Sequence, residues 1–347
     1  MIIQAGVSCK WTRDSQQFLL GHFDTIQDSP SHIYHSALPF SPASSWLHKC
    51  YSAELSKEVK VVKGLPAGWG TCSHTVSLGS LIWDLSCWNK TIAAGSENGD
   101  IIILDAITGS QTGILSAHTK EINSVTFSSD GKSLVSGSDD MTVKLWDMQT
   151  GGVVKTFSGH TELVWSVSIS EGLIQIVSGS HDGTIHLWGV QTEECHQIIK
   201  QQSIVFHVSF SPINPQHFTS VCDDKVWQWD TDGHQIKPPQ DGSYIAFSDG
   251  GQFVLCHGAT VKVQNSSSGV IVVEFHVAGN NTRCCCFSPD GRFIAVGVES
   301  NVYVWDITSS EPYLIETFVG HVDYIASLAF SSPSSLVSTS YDQSIKF

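Results

Sequence analysis

Short runs of alternating apolar and polar residues, typical of β-strands, recur at nearly constant spacing along most of this 347-residue chain. Three clear examples are Val143–Trp146, Ile185–Trp188 and Val302–Trp305. The anchor positions that end such runs are 42, 42, 41, 35 and 41 residues apart, at Leu104, Trp146, Trp188, Trp229, Gln264 and Trp305. A period of this size predicts a repeated supersecondary unit built from short strands.

Other residues keep the same phase as the anchors. A histidine preceded by Gly or Ala lies upstream in three repeats, at His118, His160 and His321. The turns at Asp130-Gly131 and Asp290-Gly291 separate the first strand of a unit from its second. Together these offsets resemble the WD40 repeat, in which four strands form one blade of a β-propeller. The resemblance covers about residues 71–347 and implies an all-β fold there.

The number of repeats predicts a seven-bladed propeller. Six anchors are present, and Ser344–Phe347 begins a seventh unit whose anchor would fall at position 348, one residue beyond Phe347. This last unit lacks a fourth strand, and residues 72–78 alternate in the manner of a strand. We expect this N-terminal strand to close the last blade, because an open ring would expose sheet edges. The same ending is also expected of part of a longer polypeptide or of a shortened gene model.

The first 70 residues predict a helical extension, so the expected domains are residues 1–70 and 71–347. Apolar residues between Trp11 and Ile26 recur at helical spacing. A second helix is expected to begin with Ser41 as its cap and Pro42 in its first turn, and to continue to Leu55. Two short helices cannot bury a core alone, so we expect them to pack on the propeller or on a further domain.

This extension carries a second resemblance. His32–Pro42 and Glu58–Val62 are similar to the linker that precedes WD40 repeats in fungal NACHT-type signal-transduction ATPases, and Asp14–Leu20 is similar to the helix before that linker. In that family the repeats are a ligand-sensing region and the nucleotide-binding domain lies N-terminal to them. The phosphate-binding motif G-x-x-x-x-G-K-[ST] does not occur in this sequence, so the resemblance implies the sensor half alone.

Charge and composition narrow the expected partners. The formal net charge is −15, and residues 71–347 carry 12 Lys or Arg against 28 Asp or Glu. An acidic propeller repels phosphate backbones, so no nucleic-acid partner is predicted, and the lack of a long apolar run predicts no membrane span. The ten cysteines form no C-x-x-C pair, and we expect the run Cys284–Cys286 to hold buried free thiols. These features predict a cytoplasmic protein, with the nucleus as the alternative, that binds neither a metal nor a cofactor.

Ser, His and Asp, the residue types of a hydrolase triad, occur together in several repeats. In two of them Asp lies six residues and Ser ten residues before the Trp. A catalytic site has no reason to be duplicated in register, and the WD40 resemblance implies a buried structural network instead. The predicted sets are His118, Ser136, Asp140 and Trp146 in blade 2, His160, Ser178, Asp182 and Trp188 in blade 3, and His321, Ser338 and Asp342 in blade 7.

The network is predicted to weaken in other blades. We expect Thr219 to take the Ser position in blade 4 and Ala295 in blade 6, while Gln264 replaces the Trp of blade 5. Blades 2 and 3 should therefore be the most rigid and blade 5 the least. The motifs G-x-S-x-G and H-E-x-x-H do not occur in the sequence, and no enzymatic activity is predicted.

The WD40 resemblance implies that a protein or peptide partner binds the narrower propeller face, near the start of each first strand. Trp, Tyr and Arg are the residue types most enriched in binding hot spots. The candidate residues are Asn123, Leu163, Trp165, Phe206, Arg283 and Tyr324. The expected function is a non-enzymatic interaction propeller, the sensor region of a fungal NACHT–WD40-type protein without its ATPase. The alternative is a free-standing scaffold or substrate adaptor in signalling or ubiquitin-ligase assembly.

Overall fold

A computed structural model describes residues 15, 18, 41–42, 45–55, 72–192, 194–266, 268–279, 282–309 and 311–347. The chain divides into two compact units, Met1–Thr75 with Lys346, and Val76–Ile345 with Phe347. The boundary predicted at residues 70 and 71 lies outside the described residues. So do most of the predicted helix Trp11–Ile26 and most of the segments that resemble the fungal linker.

The N-terminal unit contains helix α1, Trp46–Leu55. Its cap is Ser45, whose Oγ accepts a hydrogen bond of 3.1 Å from the backbone N–H of His48. The prediction that Ser41 caps this helix is therefore wrong. The Ser45 N–H donates to the Pro42 carbonyl at 2.9 Å, directly before the helix begins.

Seven four-stranded sheets form the rest of the described chain, which confirms the predicted all-β, seven-bladed propeller. Strand β1 is Thr75–Ser77. Blade 1 contains β2 (Ile82–Trp88), β3 (Thr91–Ser96), β4 (Asp100–Asp105) and β5 (Gln111–Ser116). Blade 2 contains β6 (Ile122–Phe127), β7 (Ser133–Ser138), β8 (Thr142–Asp147) and β9 (Val153–Ser158). Blade 3 contains β10 (Val164–Ile169), β11 (Gln175–Ser180), β12 (Thr184–Gly189) and β13 (Cys195–Lys200), with a 3₁₀ turn at Glu171–Leu173.

The remaining blades follow in chain order. Blade 4 contains β14 (Val205–Phe210), β15 (His217–Cys222), β16 (Lys225–Asp230) and β17 (Gln235–Asp241). Blade 5 contains β18 (Tyr244–Phe247), β19 (Gln252–His257), β20 (Thr260–Asn265) and β21 (Ile271–His276). Blade 6 contains β22 (Thr282–Phe287), β23 (Phe293–Val298), β24 (Asn301–Asp306) and β25 (Tyr313–Val319). Blade 7 contains β26 (Ile325–Ser332), β27 (Ser335–Ser340) and β28 (Ser344–Lys346), and β1 is its fourth strand, as expected from the sequence.

The second strand of each blade is buried on both faces because a neighbouring blade packs against each side. In β7 the five residues from Leu134 to Ser138 are all buried, whereas the outer strand β9 is mostly exposed. Close packing explains a glycine in this second strand. A Cβ at Gly137 would lie 2.7 Å from Cγ1 of Val164 in the next blade, which is too close for two carbon atoms. Glycine here brings the two sheets together.

Side chains on the first strands link adjacent blades by hydrogen bonds to backbone. The N–H of Val125 donates to Asp84 Oδ2 at 3.0 Å, and the N–H of Leu85 donates to Ser327 Oγ at 3.3 Å, joining blade 1 to blades 2 and 7. The same bond recurs from Val167 to Ser124 at 3.3 Å and from Val208 to Ser166 at 3.0 Å. At the next interface the corresponding side chain is His207, whose Nδ1 is buried without a hydrogen-bond partner. The series of bonds therefore spans blades 7, 1, 2, 3 and 4 and ends before blade 5.

The closing strand gives a test of ring stability. Val76 in β1 is half-buried and packs against a core that includes Val337 and Ile345, whereas the neighbouring Ser77 is exposed. We expect Val76→Asp to lower the free energy of unfolding by about 2 kcal/mol or more, because it places a charge against apolar side chains. Ser77→Asp is the matched control and should change it little. Urea denaturation of both variants measures the difference, and equal effects would contradict a closing role for this strand.

Candidate interaction face

A chain of hydrogen bonds connects the four predicted residues of blade 2. Trp146 Nε1 donates to Ser136 Oγ at 2.8 Å, and the Ser136 oxygen lies 2.7 Å from His118 Nε2. His118 Nδ1 lies 2.8 Å from Asp140 Oδ2, which also accepts the N–H of Thr119 at 3.1 Å. Each polar atom has a partner when Ser136 donates to Nε2 and Nδ1–H donates to the carboxylate. The network therefore fixes the segment between blades 1 and 2 to the core of blade 2.

The same arrangement recurs in blade 3 and, without the Trp, in blade 7. Trp188 Nε1 donates to Ser178 Oγ at 2.8 Å, and the two nitrogens of His160 lie 2.8 Å from Ser178 Oγ and 3.0 Å from Asp182 Oδ2. In blade 7 the nitrogens of His321 lie 2.9 Å from Ser338 Oγ and 2.9 Å from Asp342 Oδ2. Ser136 and Ser178 have no exposed surface at all, so neither hydroxyl can reach a substrate.

The carboxylates of these networks are held in the ionised form. Burial alone would raise the pKa of Asp140, but hydrogen bonds from His118 and Thr142 outweigh it and hold the pKa well below its usual range. In Asp182 burial is outweighed in the same way by bonds from Thr184 and from the backbone of Thr161. Burial lowers the pKa of His160, so the ring is neutral at pH 7. The pair is then a neutral imidazole that donates to a carboxylate.

In blade 4 the network hydroxyl belongs to Ser220 and not to the predicted Thr219. In blade 4 Trp229 Nε1 donates to Ser220 Oγ at 2.9 Å, whereas the Thr219 hydroxyl donates to the Ser209 carbonyl at 3.3 Å. The reason is the turn after β15, where Asp223 and Asp224 have φ of 52° and 54°. Two consecutive left-handed residues make a two-residue hairpin turn, which is one residue shorter than the turn in blade 2. The Ser in blade 4 therefore precedes the Trp by nine residues.

Blade 6 has the same shift. Ile294 pairs with Trp305 across the sheet, as Leu134 pairs with Trp146 in blade 2. By this register Val296, and not Ala295, takes the position of Ser136. Trp305 Nε1 accordingly is buried without a hydrogen-bond partner.

A backbone irregularity near the start of the first strand creates the candidate face. In six blades the pairing register skips the second residue of the first strand, the mark of a β-bulge, whereas β18 of blade 5 pairs with β19 without a shift. A bulge turns its side chain away from the regular alternation of the strand. The bulged residues are Trp83, Asn123, Trp165, Phe206, Arg283 and Ala326. Four of the six candidate residues predicted from the sequence belong to this bulge ring.

Two groups of large side chains include residues of the bulge ring. Trp165 and Phe206, on adjacent blades, have ring centroids 6.2 Å apart, and Phe206 is 49% exposed. In the other group the guanidinium of Arg283 lies 4.6 Å from the Tyr324 ring centroid and 5.4 Å from that of Tyr341, and its Nη1 donates to the Tyr341 hydroxyl at 2.8 Å. Stacking on two rings holds the cation of Arg283 in place.

Sequence reasoning missed Trp83 and Tyr341. Their rings meet edge to face with centroids 5.4 Å apart, which extends the second group to blade 1. Trp83 follows Ile82 as Trp165 follows Val164, so the repeat phase alone could have identified it. Tyr341 lies in a turn between β27 and β28, at a position that the first-strand alignment does not include.

The two remaining candidates have their polar groups directed inward. Asn123 Nδ2 donates to Asp139 Oδ1 at 2.6 Å and to the Val164 carbonyl at 3.0 Å, so this amide ties blade 2 to blade 3. Leu163 lies just before β10, outside the bulge ring, and its carbonyl accepts the N–H of His181 at 3.0 Å. Asn123 thus positions the face, and Leu163 flanks it.

One group of side chains in the described segments has the geometry of a possible metal site. Asp230, Asp232 and His234 have ligand atoms within 4.8 Å of one another and could hold a metal ion. These groups are largely exposed, and Asp230 Oδ1 already accepts the backbone N–H groups of Asp232 and His234, which is ordinary turn chemistry. No helix in the described part of the chain is long and apolar enough to cross a membrane.

Four stretches of the chain match the family model for the WD domain, G-beta repeat, at residues 109–147, 151–189, 269–306 and 312–347. These stretches contain the first three strands of blades 2, 3, 6 and 7, respectively. Blades 2, 3 and 7 are the blades with a His–Ser–Asp network, and blade 6 keeps the terminal Trp-Asp pair.

Similar proteins match over shorter stretches. The chain is 31% identical over 100 residues to the vegetative incompatibility protein HET-E-1 of Podospora anserina, a stretch that is 28% of this chain and 7% of that protein. It is 40% identical over 65 residues to telomerase protein component 1 of Rattus norvegicus, covering 18% of this chain and 2% of that protein. It is 27% identical over 103 residues to the target of rapamycin complex subunit wat1 of Schizosaccharomyces pombe, covering 30% of this chain and 31% of that protein. Each match spans less than a third of the relative's own length.

The buried networks predict a difference between two aspartates. Asp140→Ala leaves His118 and the N–H of Thr119 without their acceptor, and should lower the free energy of unfolding by about 1–3 kcal/mol. Asp249→Ala is the control, because Asp249 is exposed in a hairpin turn. Thermal unfolding of the two variants measures the difference. Equal midpoints would contradict a structural role for the network.

Asp84 predicts a pH dependence of stability. Its carboxylate joins three blades, and burial raises its pKa to about 6 despite hydrogen bonds from Val125, Ser327 and Leu85. Between pH 3.8, the ordinary pKa of Asp, and about pH 6, the folded protein holds the Asp84 proton more tightly than the unfolded chain does. The stabilisation that comes from this proton is therefore lost as pH rises through that window. Burial lowers the pKa of His186 and His207 to about 4, which has the opposite effect.

Because His186 and His207 change stability with pH in the opposite direction to Asp84, the test compares the stability of variants at each pH. The stability of Asp84→Asn relative to the native chain should rise as pH increases from about 4 to about 7. Asp249→Asn, at an exposed turn position, is the matched control. Urea unfolding at several pH values measures both, and a flat profile for Asp84→Asn would contradict the assigned pKa.

Proposed function

We propose that this seven-bladed propeller of WD40 repeats is a non-enzymatic recognition module that binds a protein or peptide on the bulge ring. The observation that carries this proposal is the bulge shared by six first strands, which takes one side chain in each of these blades out of the regular alternation of the strand. Structural needs alone do not explain why large aromatic residues occupy this position in blades 1, 3 and 4. Binding hot spots are enriched in such residues.

The exposure of these residues supports the same conclusion. Phe206 and Tyr324 are 49% and 39% exposed, and each lies beside a second large side chain of the ring, Trp165 and Arg283 respectively. Rings held by a neighbour lose little conformational freedom when a partner covers them. The face therefore offers rigid apolar anchors at two places on its circumference.

Burial of the Ser-His-Asp sets supports a non-enzymatic role. In blades 2 and 3 the serine is completely buried, and its oxygen contacts both the indole and the imidazole. A nucleophilic serine needs access to its substrate and a base that is free to take its proton. These groups instead hold consecutive blades in register.

The more specific proposal is that the chain is the ligand-recognition region of a fungal NACHT–WD40-type protein. The 31% identity to the vegetative incompatibility protein HET-E-1 over 100 residues supports it. A free-standing scaffold or adaptor is the alternative, supported by the 27% identity to a subunit of the target of rapamycin complex. The coding sequence upstream of Met1 separates them, because an in-frame phosphate-binding motif is expected only for the first.

We also propose a reducing compartment, the cytoplasm or the nucleus, and neither a nucleic acid nor a small-molecule cofactor as ligand. The cysteines of the described segments are all free thiols, including the run Cys284–Cys286, and burial raises the pKa of Cys284 and Cys286. Thiols of this kind persist where disulfides are reduced. The acidic charge of residues 71–347 supports the exclusion of phosphate backbones.

Removal of the first aromatic pair tests the proposed face. We expect Trp165→Ala/Phe206→Ala to reduce the amount of bound partner protein by about tenfold or more, because truncation of a hot-spot residue costs about 2 kcal/mol or more. The measurement is quantitative mass spectrometry of proteins that co-purify with the full chain from cells that express it. Because Phe206 is exposed and Trp165 is half-buried, the melting temperature should change little.

The control variant is Ile114→Ala/Ile198→Ala, which removes two apolar residues that are 52% and 50% exposed on outer strands. It should bind the same proteins as the native chain. If the aromatic variant retained every partner at the native level, the proposed face would be wrong.

A further inference from the structure

Three acidic residues lie beside one part of the bulge ring. Glu97 and Asp139 follow the second strands of blades 1 and 2, and Glu121 precedes the first strand of blade 2. The Asp139 N–H donates to the Glu121 carbonyl at 2.9 Å, and burial together with the charges of Asp139 and Glu97 raises the pKa of Glu121. These three half-buried carboxylates, the acidic cluster, repel one another. In the described chain no salt bridge reaches them.

The acidic cluster is joined to the aromatic pair by a single side chain. Asn123 Nδ2 donates both to Asp139 Oδ1 and to the carbonyl of Val164, the residue before Trp165. Trp165 then contacts Phe206 on the next blade. The carboxylates of blades 1 and 2 and the aromatic pair of blades 3 and 4 thus lie on successive blades, and Asn123 connects Asp139 to the backbone beside Trp165.

This combination matches one kind of side chain. Lys and Arg carry an apolar stem that packs on aromatic rings and a cationic end that pairs with carboxylates. An acidic segment would meet like charge here, and a second copy of this chain, with its formal net charge of −15, would also be repelled. The opposite part of the ring differs, because Arg283 supplies its own cation between Tyr324 and Tyr341.

We infer that the partner presents an extended basic segment, with a Lys or Arg side chain that lies on Trp165 and Phe206 and directs its charge toward the acidic cluster. This inference rests on the proposed recognition function and specifies its ligand. The binding energy is divided between the two parts of the surface. The aromatic pair provides contact area, and the carboxylates distinguish a basic residue from a neutral one of similar length.

A peptide library tests the inference on the full chain. The probe is a set of fluorescein-labelled nonapeptides with Lys, Arg, Gln, Leu or Glu at the central position and mixed residues elsewhere. We expect peptides with central Lys or Arg to be enriched on the immobilised protein. Their Kd, measured by fluorescence polarisation, should rise about fivefold or more between about 50 and about 300 mM NaCl, because salt screens exposed charges.

Charge-neutral variants separate the two contributions. Glu121→Gln/Asp139→Asn keeps the acceptor for Asn123 and should raise the Kd of a selected peptide about tenfold. Glu194→Gln/Asp249→Asn removes the same charge from exposed positions elsewhere and should leave the Kd unchanged. Trp165→Ala/Phe206→Ala should abolish binding.

The outcomes distinguish this inference from the proposed function. If the aromatic variant loses binding while neutralisation of Glu121 and Asp139 has no effect, the interaction face stands and the basic ligand is wrong. Enrichment of Leu, Gln or Glu peptides, or of no peptide, overturns the basic ligand as well. If the selected peptide binds the aromatic variant as tightly as the native chain, both proposals are wrong.

Discussion

The N–H of Leu85 in blade 1 donates to Ser327 in blade 7, across 242 residues of sequence, and this bond belongs to the series that links successive first strands. Its importance follows from the geometry of a blade. A four-stranded sheet has two apolar faces and can bury them only against the blades beside it, so each blade depends on both neighbours. Asp84 and Ser327 join the two ends of the chain of blades at the point where the closing strand β1 completes blade 7.

Blade 5 departs from this pattern in several independent ways. Gln264 takes the place of the anchor Trp and is buried with its Oε1 unpartnered, and Leu255 takes the position that the network serine has in blades 2, 3, 4 and 7. Its first strand has no bulge, and the buried Nδ1 of His207 has no partner at the interface with blade 4. Blade 5 therefore lacks both the anchor Trp and a side chain in the bulge ring, whereas blade 6, which also lacks the network serine, keeps Arg283 in the ring.

Most of the architecture could be predicted from the sequence because the same local pattern recurs around each anchor position. Strand alternation, the Asp-Gly turns and the spacing of about 42 residues are all local signals. The two misplaced network positions, Thr219 and Ala295, came from turn length. The left-handed pair Asp223-Asp224 shortens one hairpin by a residue, which moves the network position from Thr219 to Ser220 although the Trp keeps its phase. A fixed offset counted back from the Trp cannot register such a change.

The candidate face was only partly predictable for a different reason. A bulge is a property of two paired strands, so a single strand sequence gives no direct sign of it. Residues in phase with the first strand, such as Trp165 and Phe206, could be found, whereas the contact of Tyr341 with Trp83 and Arg283 depends on three blades meeting in space. The same applies to Asn123, whose inward hydrogen bonds appear only when blades 2 and 3 are packed together. The bulge has one further consequence. Within this single chain one backbone position accepts an indole, an amide, a phenyl ring, a guanidinium and a methyl group, because its side chain lies outside the ladder that holds the blade together. Such a position can change its chemistry independently in each of the six blades that have the bulge, so one scaffold can acquire new binding preferences by substitution at a few sites outside its strand pairing.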